Sequence, residues 1–102
     1  MTNKASLLIV DDDCHVLESM ASWLRDQSFN VDTATSPEDA RHLTDKAHFD
    51  LVLCDIRLRD GDGFDVLEHC RKYHPQTTVI LMTGYGTVDL AIDAIRAGAF
   101  DL

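Results

Sequence analysis

The chain has 102 residues, of which 45% are hydrophobic and 26% are charged, and its formal net charge is −9. This length predicts a single globular domain with one modest core. The acidic balance argues against nucleic-acid binding by this segment, because phosphate contacts need clustered Lys and Arg, and no apolar run approaches the roughly 20 residues that span a membrane.

Short apolar strands and amphipathic helices alternate along the chain. The first strand, 7–10, is fully apolar, as expected of a parallel strand that is buried on both faces. A helix is predicted from there to about Gln27, since apolar residues follow at helical spacing, and 29–35 indicates a second strand. The apolar stripe of the helix is formed by Val16, Leu17, Met20, Ala21 and Leu24.

The same alternation continues in the second half of the chain. Ser36, followed by Pro37 and two acids, predicts the N-terminus of a second helix, whose apolar stripe includes Ala40, Leu43 and Ala47. The remaining predicted elements are a third strand at 51–54, a turn at 60–63, a third helix that ends before Pro75, a fourth strand at 79–82, a fourth helix closed by Gly98, and the start of a fifth strand at 100–102.

Polar residues follow three of the predicted strands. Acids at 11–13 come after the first strand, Asp55 after the third, and Thr83 and Gly84 after the fourth. Strict alternation predicts a doubly wound α/β fold, in which the chemistry lies at the carboxyl ends of parallel strands. Carboxylate oxygens are ligands that Mg²⁺ prefers. The sequence therefore predicts that a magnesium ion draws these like charges together at one edge of the sheet.

Simpler interpretations compete for several of these residues. Asp13 is predicted to cap the following helix, and Thr83 alone could be an ordinary hydroxyl at a strand end. A solvated acidic face is the alternative for Asp11 and Asp12, but Asp55 reaches the same edge independently. The five histidines show no ligand spacing and are predicted to be surface residues. The three cysteines, an odd number, predict reduced and partly buried thiols without a disulfide.

Three stretches closely resemble the receiver domain of two-component response regulators. They are LIVDDD, DLVLCDIRLRDGDGFDVL and VILMTGYG…AIRAGAFD. The last is most similar to receivers of the NtrC type, which precede a sigma-54-activating ATPase domain and a DNA-binding helix-turn-helix. The resemblance covers essentially the whole chain, 1–102, as one receiver domain. It implies a flavodoxin-like (CheY-like) parallel sheet with strand order 2-1-3-4-5.

The resemblance also implies a role for each acid at the sheet edge. Asp55 would be the phosphoacceptor, and Asp12 and Asp55 would bind Mg²⁺ through their side chains. The backbone carbonyl of Arg57 would be a third protein ligand. Asp11 would act largely through a bound water. A cation held in this way would neutralise and align an incoming phosphoryl group for a carboxylate nucleophile.

Further implications concern the C-terminal part of the chain. Thr83 would hydrogen-bond a phosphoryl oxygen, and the exposed backbone N–H of Gly84 would admit the phosphoryl group closely. The lysine of the family would fall just past Leu102, which itself takes the position of the family's aromatic switch. We therefore expect a receiver domain that is incomplete within its fifth strand and lacks the fifth helix. If the chain ended there, a homodimer through the exposed sheet edge would be expected.

The implied function is a cytoplasmic signalling switch rather than a conventional enzyme. It would take a phosphoryl group from a sensor histidine kinase, later lose it by self-dephosphorylation, and control output ATPase and DNA-binding domains. Two alternatives stay open at the level of sequence. One is a degenerate receiver that only binds partner proteins. The other is a haloacid-dehalogenase-type phosphatase, which also places a D-x-D pair after its first strand, although Cys14 and His15 follow here.

Overall fold

The computed structural model describes residues 5–82, which contain three helices and six strands. In chain order these are β1 (Ser6–Val10), α1 (Cys14–Asp26), β2 (Asn30–Ala34), α2 (Pro37–Lys46), β3 (Leu51–Asp55), β4 (Arg57–Leu58), β5 (Gly61–Asp62), α3 (Gly63–Tyr73) and β6 (Thr78–Met82). The predicted fourth helix and fifth strand, together with Thr83, Gly84 and Leu102, lie outside the described residues.

The main sheet is parallel, with strand order β2-β1-β3-β6. Since β6 is its fourth strand along the chain, this order confirms the 2-1-3-4 part of the predicted topology. The chain turns from one side of β1 to the other between β2 and β3, so the topological switch point lies between β1 and β3. A binding crevice is expected at the carboxyl ends of these two strands.

Two apolar clusters cover the two faces of the sheet. Because side chains alternate along a strand, Leu8 and Val10 of β1 face one cluster while Leu7 and Ile9 face the other. The first cluster includes residues of α2 and α3, and the second includes the buried face of α1. This arrangement confirms the predicted helices on both faces. It also explains why β1 is apolar at each of its buried positions, 7–10.

Side-chain caps set the start of each described helix. Asp13 accepts hydrogen bonds from the backbone N–H groups of His15 and Val16, which confirms the predicted cap of α1. Ser36 caps α2 through the N–H of Asp39, also as predicted. Asp62 caps α3. Each cap satisfies backbone donors that have no partner within the helix, so the first turn is fixed by local sequence.

Several sequence-based expectations are wrong in detail. Val16 was assigned to the apolar stripe of α1 but is 39% exposed, and Cys14 is an exposed thiol. Ala47 is exposed because it is the C-cap of α2 and no longer lies on the helix. The predicted turn at 60–63 is shifted toward the N-terminus: Arg59 and Asp60 form the turn of a short antiparallel ribbon, β4–β5, that leads directly into α3 at Gly63. No helix among residues 5–82 is long and apolar enough to cross a membrane.

Candidate functional site

Three predicted acidic residues converge at the carboxyl ends of β1 and β3. Asp11 and Asp12 directly follow β1, and Asp55 is the last residue of β3. One carboxylate oxygen of each lies within 4.8 Å of one from each of the others. We name this cluster the acidic pocket. Asp11 is buried, and the other two are partly buried. The parallel pairing of β1 with β3 therefore produces the predicted convergence.

Backbone hydrogen bonds hold two of these carboxylates in place. Asp11 Oδ1 accepts the N–H of Asp13 at 2.9 Å, and Asp55 Oδ1 accepts the N–H of Arg57 at 3.2 Å. The N–H of Asp11 in turn donates to the carbonyl of Ala34 in β2 at 3.1 Å. Asp11 and Asp55 thus tie the pocket to the sheet and to the loops after β1 and β3.

The charges in the acidic pocket oppose one another. Burial raises the pKa of Asp11, and the neighbouring charges of Asp12 and Asp13 add to this effect. The hydrogen bond from the N–H of Asp13 acts in the opposite direction and lowers that pKa. Burial likewise raises the pKa of Asp55, with further contributions from the charges of Asp11 and Asp12. At these separations each pair of carboxylates repels by between about 1 and 3 kcal/mol, depending on screening. A divalent cation would relieve this repulsion.

The donor set fits Mg²⁺. It consists of hard carboxylate oxygens, and the thiol of Cys54, the residue before Asp55, is buried and donates to the carbonyl of Asp55 at 3.3 Å. Mg²⁺ is commonly bound by one or two carboxylates and keeps several waters, so a half-open pocket suits it. Arg57 lies in β4, next to the pocket. The ligand role predicted for its carbonyl stays a prediction.

A shallow crevice extends from the acidic pocket toward the start of α2. It has a volume of about 360 Å³ and is lined by Asp12, Cys14, Thr35, Ser36, Asp39, Arg59 and Asp60. Its lining is predominantly polar and includes one cation. The crevice leaves Asp12 accessible to solvent from this side.

Gly63 is a residue of the site that sequence reasoning missed. A β-carbon at this position would lie 2.6 Å from the carbonyl oxygen of Asp55 and 3.1 Å from the Cα of Ile56. The N–H of Gly63 also donates to the carbonyl of Ile56 at 2.8 Å. The first turn of α3 therefore packs directly behind Asp55. The turn-forming composition of 60–63 was visible, but this close approach was not.

Two of the five histidines do not behave as the sequence predicted. The side chains of His69 and His74 are only 14% and 25% exposed, and both contact Asp45 far from the acidic pocket. His48, by contrast, is 62% exposed, as expected of a surface residue.

Fold and site together define a class: a doubly wound parallel α/β protein with an acidic, cation-type pocket at its switch point. The model of the family described as the response regulator receiver domain matches residues 7–102. The chain therefore belongs to the response regulator receiver family, which confirms the resemblance found in the sequence. The same match gives no support to the phosphatase alternative.

Curated relatives agree with this assignment. The response regulator protein PilR of Pseudomonas aeruginosa is 39% identical over 99 residues, which cover 97% of this chain and 22% of PilR. The regulatory protein AtoC of Escherichia coli is 40% identical over 101 residues, which cover 99% of this chain and 22% of AtoC. Both are regulators of the NtrC type. The chain thus spans about a fifth of the length of the curated relatives it matches.

Solved structures confirm the fold. A CheY-like receiver domain protein from Methanospirillum hungatei superposes with a TM-score of 0.91 at 30% identity, over 97% of this chain and 79% of that one. The beryllofluoride-activated NtrC4 receiver domain dimer superposes with a TM-score of 0.87, also at 30% identity, over 93% of this chain and 78% of that one.

Proposed function

We propose that this domain is a phosphoryl-accepting switch in which Asp55 is the nucleophile. The observation that carries the proposal is the convergence of Asp11, Asp12 and Asp55 at the switch point of a receiver fold. Asp55 is the last residue of the internal strand β3, it is partly exposed whereas Asp11 is buried, and one of its oxygens accepts the N–H of Arg57. Its second oxygen is free of that bond and can attack.

In the proposed step, a carboxylate oxygen of Asp55 forms a bond to phosphorus while the bond from phosphorus to the donor's imidazole nitrogen breaks. The imidazole leaves as a neutral ring after taking up a proton, and Asp55 becomes an aspartyl phosphate. The phosphodonor is a phosphohistidine of a sensor kinase. Hydrolysis of the acyl phosphate by water would return Asp55 to its starting state.

Mg²⁺ is the proposed cofactor, with Asp11, Asp12, Asp55 and the carbonyl of Arg57 as the residues that would hold it. When bound, it would neutralise charge on the phosphoryl oxygens during transfer. The protein's own contribution is to fix the carboxylates at the ends of β1 and β3 and to hold the Asp55 side chain through the N–H of Arg57. Thr83 and Gly84, just beyond β6, are proposed to contact the phosphoryl group through a hydroxyl and a backbone N–H.

The proposed output lies outside this segment. The matched region occupies only 22% of PilR and of AtoC. Since both are regulators of the NtrC type, we propose an ATPase and a DNA-binding domain as the elements that the switch controls. A cytoplasmic location and a histidine kinase partner belong to the same proposal. The NtrC4 receiver was solved as a dimer, which supports a proposal that activation favours a homodimer.

Phosphorylation by acetyl phosphate with Mg²⁺, followed by intact mass measurement, tests the function. We expect one phosphoryl group on the wild-type protein and none on Asp55→Asn. Asp13→Asn is the matched control, because Asp13 is a neighbouring acid whose side chain caps α1, and it should label normally. Labelling that persists in Asp55→Asn would overturn the assignment of the nucleophile. A wild-type protein that never labels would favour the degenerate receiver, which only binds partners.

A further inference from the structure

A second cluster of ligand-type side chains lies away from the acidic pocket. Asp45 is near the end of α2, His69 lies in α3, and His74 is the C-cap of α3. The Nε2 atoms of both histidines lie 2.8 Å from the same oxygen, Asp45 Oδ1. Within residues 5–82, no other cluster of three such groups contains a histidine. We name these three residues the histidine clasp.

Backbone and ring contacts restrain the two imidazoles of the histidine clasp. The N–H of His74 donates to the carbonyl of Cys70 at 2.7 Å, which fixes the end of α3. The ring of His69 packs against that of Tyr73 with 4.9 Å between centroids, and against that of His74 with 5.6 Å. Both imidazoles are therefore restrained with Nε2 directed at one point, as a metal site requires.

The negative charge of Asp45 suits a cation. Hydrogen bonds from His74 and then His69 lower the pKa of Asp45, so its carboxylate is ionised throughout the neutral range. Two imidazoles and one carboxylate are a ligand set used by zinc sites that keep a further position open. The cluster opens onto a surface depression of about 690 Å³ that is also lined by Arg41 and Tyr73, which leaves room for that further ligand.

The distances in the clasp are close to those of a metal centre. Zn²⁺ binds imidazole nitrogen and carboxylate oxygen at about 2.0 to 2.2 Å, so the ligand atoms of a tetrahedral site stand roughly 3.3 to 3.5 Å apart. The observed separation of 2.8 Å needs to open by only about half an ångström. Arg41 lines the same depression, and the Lys72 ammonium lies 5.1 Å from the centroid of the Tyr73 ring, so both positive charges would oppose binding.

We propose that Asp45, His69 and His74 form a Zn²⁺ site that links the C-terminal ends of α2 and α3. Each imidazole coordinates through Nε2 and carries its proton on Nδ1. A neutral ring whose Nε2–H faces Asp45 loses that proton to water as it binds the ion and takes one up on Nδ1, whereas a doubly protonated ring releases one proton to solvent. The site stands on different residues and different elements from the acidic pocket. It therefore does not depend on the proposed role of Asp55.

Zinc binding to the tag-free, full-length protein tests the proposal, measured by competition with a chromophoric chelator in excess Mg²⁺. The excess Mg²⁺ is added to compete with zinc at the acidic pocket, and a Cys14→Ser background removes the exposed thiol. We expect His69→Gln and His74→Gln each to weaken zinc binding by at least about tenfold. His48→Gln is the matched control, since His48 also contacts a carboxylate, Asp50 at 3.3 Å, but without a second imidazole.

A second measurement uses the wild-type protein, so it does not depend on the folding of any variant. In ¹⁵N spectra of the imidazoles, Zn²⁺ should shift the Nε2 resonances of His69 and His74 and leave those of His48 in place. Equal zinc affinity in all three variants would overturn the proposal. So would imidazole resonances that do not respond to zinc, which would make the clasp a pair of hydrogen bonds only.

Discussion

The Cα of Gly63 lies against the carbonyl oxygen of Asp55, so closely that a β-carbon at position 63 would stand 2.6 Å from it. Both partners are backbone, so neither can move aside without shifting α3 or the end of β3. We expect Gly63→Ala to lower the free energy of unfolding by about 1 to 3 kcal/mol, as overpacking does elsewhere. Urea denaturation would measure the loss.

Glu68→Ala is the control for this substitution. Glu68 is exposed on α3, where alanine removes no packing and favours the helix. Its effect should lie within about 0.5 kcal/mol of zero. If Gly63→Ala were as harmless as Glu68→Ala, the close approach behind Asp55 would have no energetic weight.

Removing a charge from the acidic pocket should stabilise the protein without metal. Asp55→Asn keeps the shape of the side chain but relieves repulsion from Asp11 and Asp12, which together with burial raises the pKa of Asp55. We expect a gain of about 1 kcal/mol or more in chelator-treated protein, together with a smaller rise in melting temperature on adding Mg²⁺. Differential scanning calorimetry with and without Mg²⁺ measures both.

Asp13→Asn again serves as the control, because asparagine caps a helix as well as aspartate does. Its response to Mg²⁺ should match that of the wild type. A wild-type melting temperature that does not respond to millimolar Mg²⁺ would contradict the proposed cation site.

Acid should weaken the contact between the starts of β1 and β3. The N–H of Ser6 donates to Asp50 Oδ2 at 2.8 Å, and this bond, then that of His48, lowers the pKa of Asp50. Because the pKa of Asp50 is lower in the folded protein than in the unfolded chain, where it is 3.8, its charge stabilises the fold at any pH above 3.8. That stabilisation is lost as the pH falls from 3.8 through the lower pKa of the folded protein.

The test compares wild type with Asp50→Asn in urea at several pH values. The wild type should have the higher urea midpoint near neutrality, and the difference should shrink as the pH falls below about 4. His48→Gln, which keeps the Ser6 bond, should give a smaller difference. A constant gap between wild type and Asp50→Asn across this range would show that the charge of Asp50 is not involved.

Two substitutions of Asp62, the N-cap of α3, separate the effect of its hydrogen bonds from the effect of its charge. Asp62 Oδ1 accepts the N–H groups of Phe64 at 2.9 Å and Asp65 at 3.2 Å. Asp62→Ala should cost about 1 kcal/mol in urea denaturation, whereas Asp62→Asn should cost little because its amide oxygen can still accept. Equal losses in both variants would indicate that the negative charge, and not the cap, stabilises the helix.

The acidic pocket was predictable because it follows from topology. Once the strands are parallel, Asp11 and Asp55 must reach the same edge, whatever the details of packing. The contact of Gly63 with Asp55 depends on the exact path of the β4–β5 ribbon, for which the sequence offers only turn-forming residues. The exposure of Val16 shows the same limit, since helical spacing predicts a stripe but not its edges.

The histidine clasp was hidden for a different reason. His69 and His74 are five positions apart, which is not a spacing that places two ligands on one helical face. They meet because α3 ends between them and His74 is its cap. Asp45 comes from another helix altogether. Only the packing of α2 against α3 brings the three together.

The three thiols differ sharply in accessibility. Burial raises the pKa of Cys70 to about 11 and keeps Cys54 protonated as well, whereas Cys14 is exposed at the rim of the crevice beside Asp12. Among residues 5–82, a maleimide dye would therefore attach at Cys14 alone. Without any engineered cysteine, the fluorescence of that dye would report ligands and partner proteins as they arrive at the pocket.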